Sequence, residues 1–195
     1  MNKTKKIIIG VVAAVLVLAI IITGSVISTK NKLAVMQENI ANAEANIDTY
    51  LQRRADLIPN VVATVKSFAD HETEVFDKVL EARQALLDAD TIEEKAEADT
   101  QLTNALQGIN VIVEAYPELK SDTTYVALMD ELEGSENRIP TARKDYNDAV
   151  KAYNSALVKF PTSLVAGMFG YEKAAYFEAD AGAENAPDVG ELLGD

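Results

Sequence analysis

The sequence predicts an all-α protein: an N-terminal transmembrane helix, then an antiparallel up-down-up-down four-helix bundle with long helices and a flexible C-terminal tail. Two observations predict this class. An apolar, uncharged run occupies residues 7–27. After it, apolar residues recur at alternating spacings of three and four, the period of helices packed side by side. The body between residues 33 and 160 carries no alternating pattern of the kind that predicts strands.

The predicted organisation has five parts. Residues 1–6 form a basic N-terminus, residues 7–27 the transmembrane helix and residues 28–32 a juxtamembrane linker. Residues 33–160 form the bundle. Residues 161–195 form the tail, which is acidic from about residue 178 and expected to be disordered from there.

The apolar run suits a membrane span, because a bilayer core of about 30 Å requires roughly 20 helical residues. A cleaved signal peptide would begin in the same basic way, but its apolar run is usually about 7–15 residues long. A retained membrane anchor is therefore favoured. Three lysines precede the run and two follow it. Because lysine and arginine near a membrane span tend to stay on the cytoplasmic side, this difference of one lysine favours a cytoplasmic N-terminus and an external domain.

Composition excludes several function classes. The 195 residues include no cysteine, so disulfides, thiolate nucleophiles and cysteine-bound zinc are excluded. The net charge is −13, and residues 1–32 carry five lysines and no acid, which leaves −18 on the rest of the chain. A domain this acidic repels phosphates, so we expect no nucleic-acid partner.

Four helices are predicted from the seams within residues 33–50, 61–86, 102–116 and 125–160. Thr91 and Glu94 have the spacing of a capping box before the third helix. Pro117 should end that helix, and Ser121 or Asp122 can cap the fourth. Pro140 should kink the fourth helix.

Residues 51–60 read LQRRADLIPN and are interpreted as the corner between the first two helices; the alternative is a binding role for the exposed arginine pair. Arg53 and Arg54 suit a helix C-terminus, and Asp56 suits a helix N-terminus. Pro59 suits the first turn of a helix, where a missing N–H matters least. Arg54 also continues the first seam, so it should face the core. Its charge must then be paired or must reach solvent, which is easy near the end of the bundle.

Several stretches resemble the LemA family. They are RRADLIPN at residues 53–60, LEGSENRI at 132–139, the polar pattern within 142–154, and short motifs between residues 160 and 187. The resemblance covers nearly the whole chain after the anchor. It implies a bacterial membrane protein with a helical bundle and no assigned enzymatic activity. Members are often encoded near membrane proteases, which suggests an envelope role. Pro140 departs from the family pattern, where a helix former is expected.

The sequence offers no catalytic, cofactor-binding or metal-binding residues. His71 is the only histidine, whereas a di-metal site in a bundle requires a Glu-x-x-His from each of two helices. We therefore expect no enzyme activity and no cofactor.

Two polar features are candidate interaction or structural sites. Glu72 continues the second seam and is expected to form a partly buried pair with Arg138; the alternative is that Glu72 turns outward. Glu136, Arg143, Asn147 and Asn154 form a stripe on the fourth helix, which suits either a flank between helices or a docking face.

The apolar part of the tail, with Phe169, Tyr176 and Phe177, is expected either to pack on the bundle or to touch the bilayer interface.

The leading hypothesis is a non-enzymatic adaptor of the cell envelope. It would contact the lipid bilayer through residues 7–27 and bind envelope proteins that the sequence does not identify, and self-association into a homo-oligomer stays open. The alternative is an accessory factor that docks onto a membrane enzyme such as a protease.

Overall fold

The computed structural model describes residues 3–177, with side chains from residue 7 onward. Within that range the chain is helical and contains no strand, so the all-α class is confirmed; the antiparallel up-down-up-down order stays a prediction. The helices are α1 (Lys3–Lys66), α2 (Thr73–Asp88), α3 (Ile92–Ala115), α4 (Thr123–Glu136), α5 (Ile139–Val158) and α6 (Thr162–Phe169), with a short 3-10 helix at Pro117–Ser121.

The first part of α1 is apolar on all sides and exposed on all sides over residues 7–25. A helix of this kind is normally buried in a core or in a membrane. It is long and apolar enough to cross a bilayer by length and composition. Residues 28–32, the predicted linker, are helical and continue α1 without interruption.

Contacts divide the described chain into two compact units. The first contains the residues up to 42 together with residues 148–174, and the second contains residues 43–147 together with residues 175–177. The predicted bundle of residues 33–160 therefore draws on both units. The first unit has a small core, whose buried members are Leu33, Tyr153, Ala156, Leu157 and Ala166.

The predicted corner at residues 51–60 is wrong, because α1 runs through it. The buried positions of α1 in the second unit continue at spacings of three and four across this stretch: Ala43, Ile47, Leu51, Arg54, Ile58, Val61 and Val65. A helix that keeps one face buried over this length has no reason to end there. The helix-terminus preferences of the individual residues are outweighed by that continuous buried face.

Pro59 lies inside α1. Its missing N–H leaves the carbonyl of Ala55, one turn earlier, without its helical partner. Arg83 on α2 supplies the replacement, since its Nε donates to the Ala55 oxygen at 2.7 Å. Ala55 is fully buried, where an unpaired carbonyl would be costly. This tertiary hydrogen bond offsets the main defect that proline creates in a helix.

The break after α1 falls instead at residues 67–72. Ser67 donates its hydroxyl to the Thr64 carbonyl at 2.7 Å, a local bond that competes with helix continuation. Asp70 and His71 follow in an exposed turn, and Glu72 stands at the N-cap of α2. The break therefore lies where the chain becomes polar.

Several predicted helix signals are confirmed. Thr91 and Glu94 form the reciprocal capping box at the start of α3. Both backbone bonds from residues 90 and 91 to the Glu94 carboxylate lower the pKa of that carboxyl below its usual value. Asp122, not Ser121, caps α4 by accepting from the Tyr125 amide at 2.8 Å.

The predicted fourth helix is two helices, α4 and α5, with a short break at residues 137–138. Pro140 is the second residue of α5. A proline there needs no N–H, whereas in one continuous helix it would collide with the carbonyl of Glu136. The predicted kink at Pro140 is therefore confirmed as a complete interruption.

Glu72 and Arg138, expected to pair, do not form an ion pair among the residues the structure describes. The seam that placed Glu72 in the core assumed one helix through residues 59–88, but the chain breaks there. Arg138 lies instead near the ring of Tyr50, with its Cζ 6.0 Å from the ring centroid.

The described part of the predicted flexible tail, up to residue 177, contains the helix α6 and a segment hydrogen-bonded to α5. α6 ends at Gly170, whose φ of 70° is the left-handed conformation that glycine adopts without strain. The predicted acidic and disordered stretch from about residue 178 lies outside the described residues.

Arg83→Met tests the bond that compensates for Pro59. Removing the donor should leave the buried Ala55 carbonyl unpaired and lower the free energy of unfolding by about 1–3 kcal/mol. In a Pro59→Ala background the new N–H at residue 59 can donate to that carbonyl, so Arg83→Met should lower the free energy of unfolding by less. Far-UV circular dichroism during chemical denaturation of the detergent-solubilised chain measures the free energy of unfolding in both backgrounds.

Lys78→Met is the matched control for Arg83→Met, because Lys78 lies on the same helix in a solvated pair with Glu74. It should have little effect in either background. An equal cost for Arg83→Met with and without Pro59 would contradict the compensation.

Candidate functional site

The two longest motifs of the sequence meet in the second unit. Arg53 and Arg54, from the first motif on α1, face the second motif on α4 and the start of α5. Arg53 is exposed and donates from Nη2 to Glu131 Oε2 at 3.1 Å. Arg54 is buried, with only 1% of the residue exposed. Neighbouring residues of one motif thus have opposite environments.

The Arg54 guanidinium is held by partners from two other helices. Its Nη1 forms a short ion pair with Asp99 on α3. Its Nη2 donates to Thr103 Oγ1 at 3.1 Å and lies 3.5 Å from Glu136 Oε2 on α4. A buried charge is tolerated only when it is paired and hydrogen-bonded. The expectation that Arg54 faces the core is confirmed, and of the two alternatives for its charge the structure shows pairing and not access to solvent.

Asp99 is shared between two arginines. One of its oxygens binds Arg54, and the other accepts from Arg143 Nη2 on α5 at 2.6 Å. Together with Glu136, the four groups carry no net charge. We call these residues, Arg54, Asp99, Glu136 and Arg143, the arginine–carboxylate cluster. It joins α1, α3, α4 and α5 of the second unit.

The chemistry of the cluster suits structure better than proton transfer. Guanidinium groups are not deprotonated in proteins, and both oxygens of Asp99 already accept charge-assisted bonds. A cavity of about 220 Å³ adjoins the cluster and is also lined by Thr103 and Asn104. The Nε atoms of Arg54 and Arg143 are buried without a hydrogen-bond partner among the described residues.

A second charged contact joins α1 and α3. Lys95 donates to Glu44 at 3.0 Å and lies 2.7 Å from Asp48. Burial alone would lower the pKa of Lys95, but the two carboxylates outweigh it and hold that pKa above its usual value. Lys95 therefore stays charged and serves as a fixed cross-link between the helices.

A surface groove of about 420 Å³ lies beside the cluster. We call it the motif groove, because both motifs contribute to its lining: Thr49, Tyr50, Arg53, Glu131, Gly134, Ser135 and Arg138. Arg53 keeps 59% of its side chain exposed while its position is set by Glu131. A Cβ added at Gly134 would meet nothing within 4 Å. The groove is open, polar and preorganised.

Asp56 and Pro59 lie on the exposed side of α1. Gln52 donates to the Asp56 carboxylate at 2.8 Å, one helical turn away. These two residues of the first motif therefore act locally within α1 and do not enter the groove lining.

In the second unit, the predicted polar stripe binds the chain's own tail. Asn147 donates from Nδ2 to the Phe177 carbonyl and accepts from the Phe177 N–H, both at 2.9 Å. Tyr146 donates its hydroxyl to the Ala175 carbonyl at 3.1 Å. Burial raises the pKa of Tyr146, helped by Glu44 and Glu93, so the hydroxyl keeps the proton it donates.

Phe177 is buried, and Arg143 lies over its ring with Cζ 4.4 Å from the centroid. Arg143 thus holds Asp99 with its Nη2 and covers an aromatic ring with its guanidinium face, which is a use that lysine could not reproduce. The tail aromatic and the buried ion cluster share this one side chain.

In the first unit, Asn154 repeats the arrangement of Asn147. Its Nδ2 donates to the Ala174 carbonyl and its Oδ1 accepts from the Ala174 N–H, both at 2.9 Å. Tyr171 and Ala174 also pack against the core that contains Tyr153. The amides of Asn147 and Asn154 are therefore occupied by the chain's own backbone; a docking face along this stripe stays a prediction.

Other predicted site residues have simpler positions. Lys30 lies over the ring of Phe169, with its Nζ 4.3 Å from the ring centroid. Tyr176 is 42% exposed. His71 is exposed and lies 3.4 Å from Asp70. No group of residues able to hold a metal occurs in the part of the chain that the structure describes.

Asp99 and Lys95 were missed by the sequence interpretation. A signal was present, since Ile92, Asp99, Leu106 and Val113 follow one another at intervals of seven and all are buried. An aspartate in such a series must have a buried cationic partner. Arg54, already placed in the core, was the available partner.

Asp99→Asn should destabilise the chain strongly, because the amide can accept from one arginine but presents a donor to the other. Leaving a buried guanidinium unpaired costs about 3–5 kcal/mol. Glu136→Gln should cost about 0–1 kcal/mol, because the Glu136 side chain is 48% exposed. Chemical denaturation followed by helical circular dichroism measures both variants, and equal costs would contradict the buried role of Asp99.

Asn154→Ala should loosen the tail. Two hydrogen bonds of roughly 0.5–1.5 kcal/mol each are lost, so local opening should increase about tenfold. Limited trypsin digestion measures this as faster cleavage after Lys173, which is exposed. Asn110→Ala, at an exposed position on α3, should leave the cleavage rate unchanged; a similar rate in both variants would mean that Asn154 does not hold the tail.

The chain is similar in sequence to several known proteins. The chain is 27% identical over 199 residues to magnetosome protein MamQ 2 of Paramagnetospirillum magneticum, covering 87% of this chain and 73% of that protein. It is 28% identical to magnetosome protein MamQ of Magnetospirillum gryphiswaldense, covering 75% of this chain and 64% of that protein. It is 25% identical to protein LemA of Metamycoplasma hominis, covering 85% and 76%.

A sequence model of the LemA family matches residues 43–190. The match includes both motifs, the arginine–carboxylate cluster and the described tail. On this evidence the chain, a membrane-associated helical protein, belongs to the LemA family.

Proposed function

We propose that this chain is a single-pass, non-enzymatic adaptor of the bacterial cell envelope, which binds a protein partner at the motif groove. The observation that carries the proposal is the contrast between the environments of Arg53 and Arg54. Arg54 is buried in an ion cluster, while Arg53 beside it is held in place and left exposed.

The chemistry of the groove suits protein recognition. Arg53 and Arg138 supply planar, multidentate donors, and Tyr50 supplies an aromatic face close to Arg138. Arginine and tyrosine are the residue types that contribute most to binding energy at protein interfaces. Glu131 limits the net positive charge of the groove, so a partner that offers both a carboxylate and a hydrogen-bond donor fits best.

Other polar residues of the motifs stabilise the fold and are not available for catalysis, which also supports an adaptor. Arg54 and Arg143 both bind the buried Asp99, and the stripe asparagines bind the tail backbone. Relatives of this chain are named as magnetosome proteins or as protein LemA, and these names describe no reaction.

An accessory role at a membrane enzyme such as a protease is the alternative form of this proposal. The same groove would then dock on one enzyme, and the exposed Arg53 would be its anchor. The identity of the partner separates the two forms.

A photoreactive amino acid at Thr49, which is exposed and lines the groove, tests the proposal in intact cells. We expect it to capture a defined protein, and the same residue placed at Asn110 on α3 to capture none. Arg53→Ala with Arg138→Ala should abolish capture at Thr49 without loss of helix content, because neither arginine is buried.

Capture of one protease would favour the accessory factor, and capture of a second copy of this chain would indicate a homo-oligomer. Equal capture at Thr49 and Asn110, or capture that survives loss of both arginines, would contradict docking at the groove.

A further inference from the structure

We propose that the outer face of α6, together with Phe160 before it, lies in the lipid headgroup region beside the membrane span. The inference rests on the anchoring of residues 7–27 in a bilayer, and it is independent of the partner that the motif groove binds. All the residues concerned belong to the first unit.

α6 is apolar on both of its faces, but only one face is covered. Val165 and Ala166 are buried, and Ala166 belongs to the core that includes Leu33. On the other side, Leu164 is 61% and Met168 73% exposed. Leu164 and Met168 are four apart, so they share one side of the helix.

Phe160 adds to this uncovered surface. It is 80% exposed and comes two residues before the start of α6. We call the three side chains Phe160, Leu164 and Met168 the apolar foot. Large exposed apolar side chains grouped in one short segment mark an interaction site for an apolar partner more often than a solvated surface.

The level of α6 along α1 identifies the partner. The apolar run ends at Ile27. Lys30, which lies over the Phe169 ring, is three residues further, and Leu33, which packs with Ala166, is six residues further. At 1.5 Å per residue these positions are about 4.5 and 9 Å beyond the end of the run. The headgroup layer on each side of a bilayer is about 5–8 Å thick, so the level of Lys30 and Phe169 lies within it and the level of Leu33 and Ala166 lies at its outer edge.

Charge supports the same partner. Residues 28–33 and 159–173 together carry four lysines and one glutamate, a net charge of +3, in a chain whose total is −13. Basic residues beside a membrane span attract anionic lipid headgroups. An apolar helix face flanked by lysines is the pattern of a helix that lies in the membrane interface.

A second copy of this chain fits the foot less well. A stable protein interface buries roughly 800 Å² on each partner, and three side chains on a two-turn helix fall well short of that area. A lipid surface has no such requirement, because the anchor already holds the chain at the bilayer.

The absence of cysteine allows a direct test in the full-length chain. Met168→Cys carries an environment-sensitive fluorophore, and the chain is reconstituted in phosphatidylcholine vesicles containing phosphatidylglycerol and brominated lipid. Val111→Cys, equally exposed on α3 at 70%, is the matched control, and Ile20→Cys reports on the anchor. Leu164→Cys repeats the measurement at a second position of the foot.

We expect brominated lipid to quench the labels at positions 168 and 164 severalfold more than the label at position 111. Replacing the phosphatidylglycerol by phosphatidylcholine should weaken that quenching. Quenching at 168 and 164 no stronger than at 111, with strong quenching at position 20, would overturn the inference and leave the anchor intact.

Two further outcomes would also overturn the inference. Weak quenching at position 20 would show that residues 7–27 do not lie in the bilayer, on which the inference rests. Self-quenching of the label at 168 that is relieved by unlabelled chain would show that a second copy, and not lipid, covers the foot. Neither outcome concerns capture at Thr49, so failure of this inference and failure of groove docking are distinguishable.

Discussion

A buried guanidinium is the constraint on which the second unit depends. Arg54 has lost its contact with water, so its charge must be matched inside the protein. Asp99 provides the match and binds Arg143 as well, which ties positions on α1, α3 and α5 to one carboxylate. If α3 slid by one helical turn, Asp99 would lie about 5.4 Å from its place and two arginines would lose their partner. The cluster therefore specifies register more than it adds stability.

The all-helical class and most helix ends follow from the sequence, because they depend on local chemistry. The capping box at Thr91 and the Asp122 cap need only neighbouring residues, and so does the interruption before Pro140. The error at residues 51–60 has a different origin. Each residue there has the type found at helix ends, but the buried face of α1 continues through them, and the Ala55 carbonyl freed by Pro59 is satisfied by Arg83 from another helix. Compensation of that kind is not visible in a local pattern.

The candidate site was predictable to a similar extent. The core-facing position of Arg54 followed from the seam, and Asp99 could have been found from its place in a series of buried positions seven apart. The role of Asn147 and Asn154 could not, because their partners lie 20 to 30 residues away in a segment without regular structure.

Both asparagines recognise main-chain atoms and ignore the side chains of the residues they hold. The amide bonds therefore place one restriction on positions 174 and 177 during evolution, because proline at either position would remove the N–H that donates to the asparagine Oδ1. Packing adds a second restriction. Position 174 should keep a small residue because Ala174 packs against the core that contains Tyr153, and position 177 should keep an aromatic residue because Arg143 covers the ring.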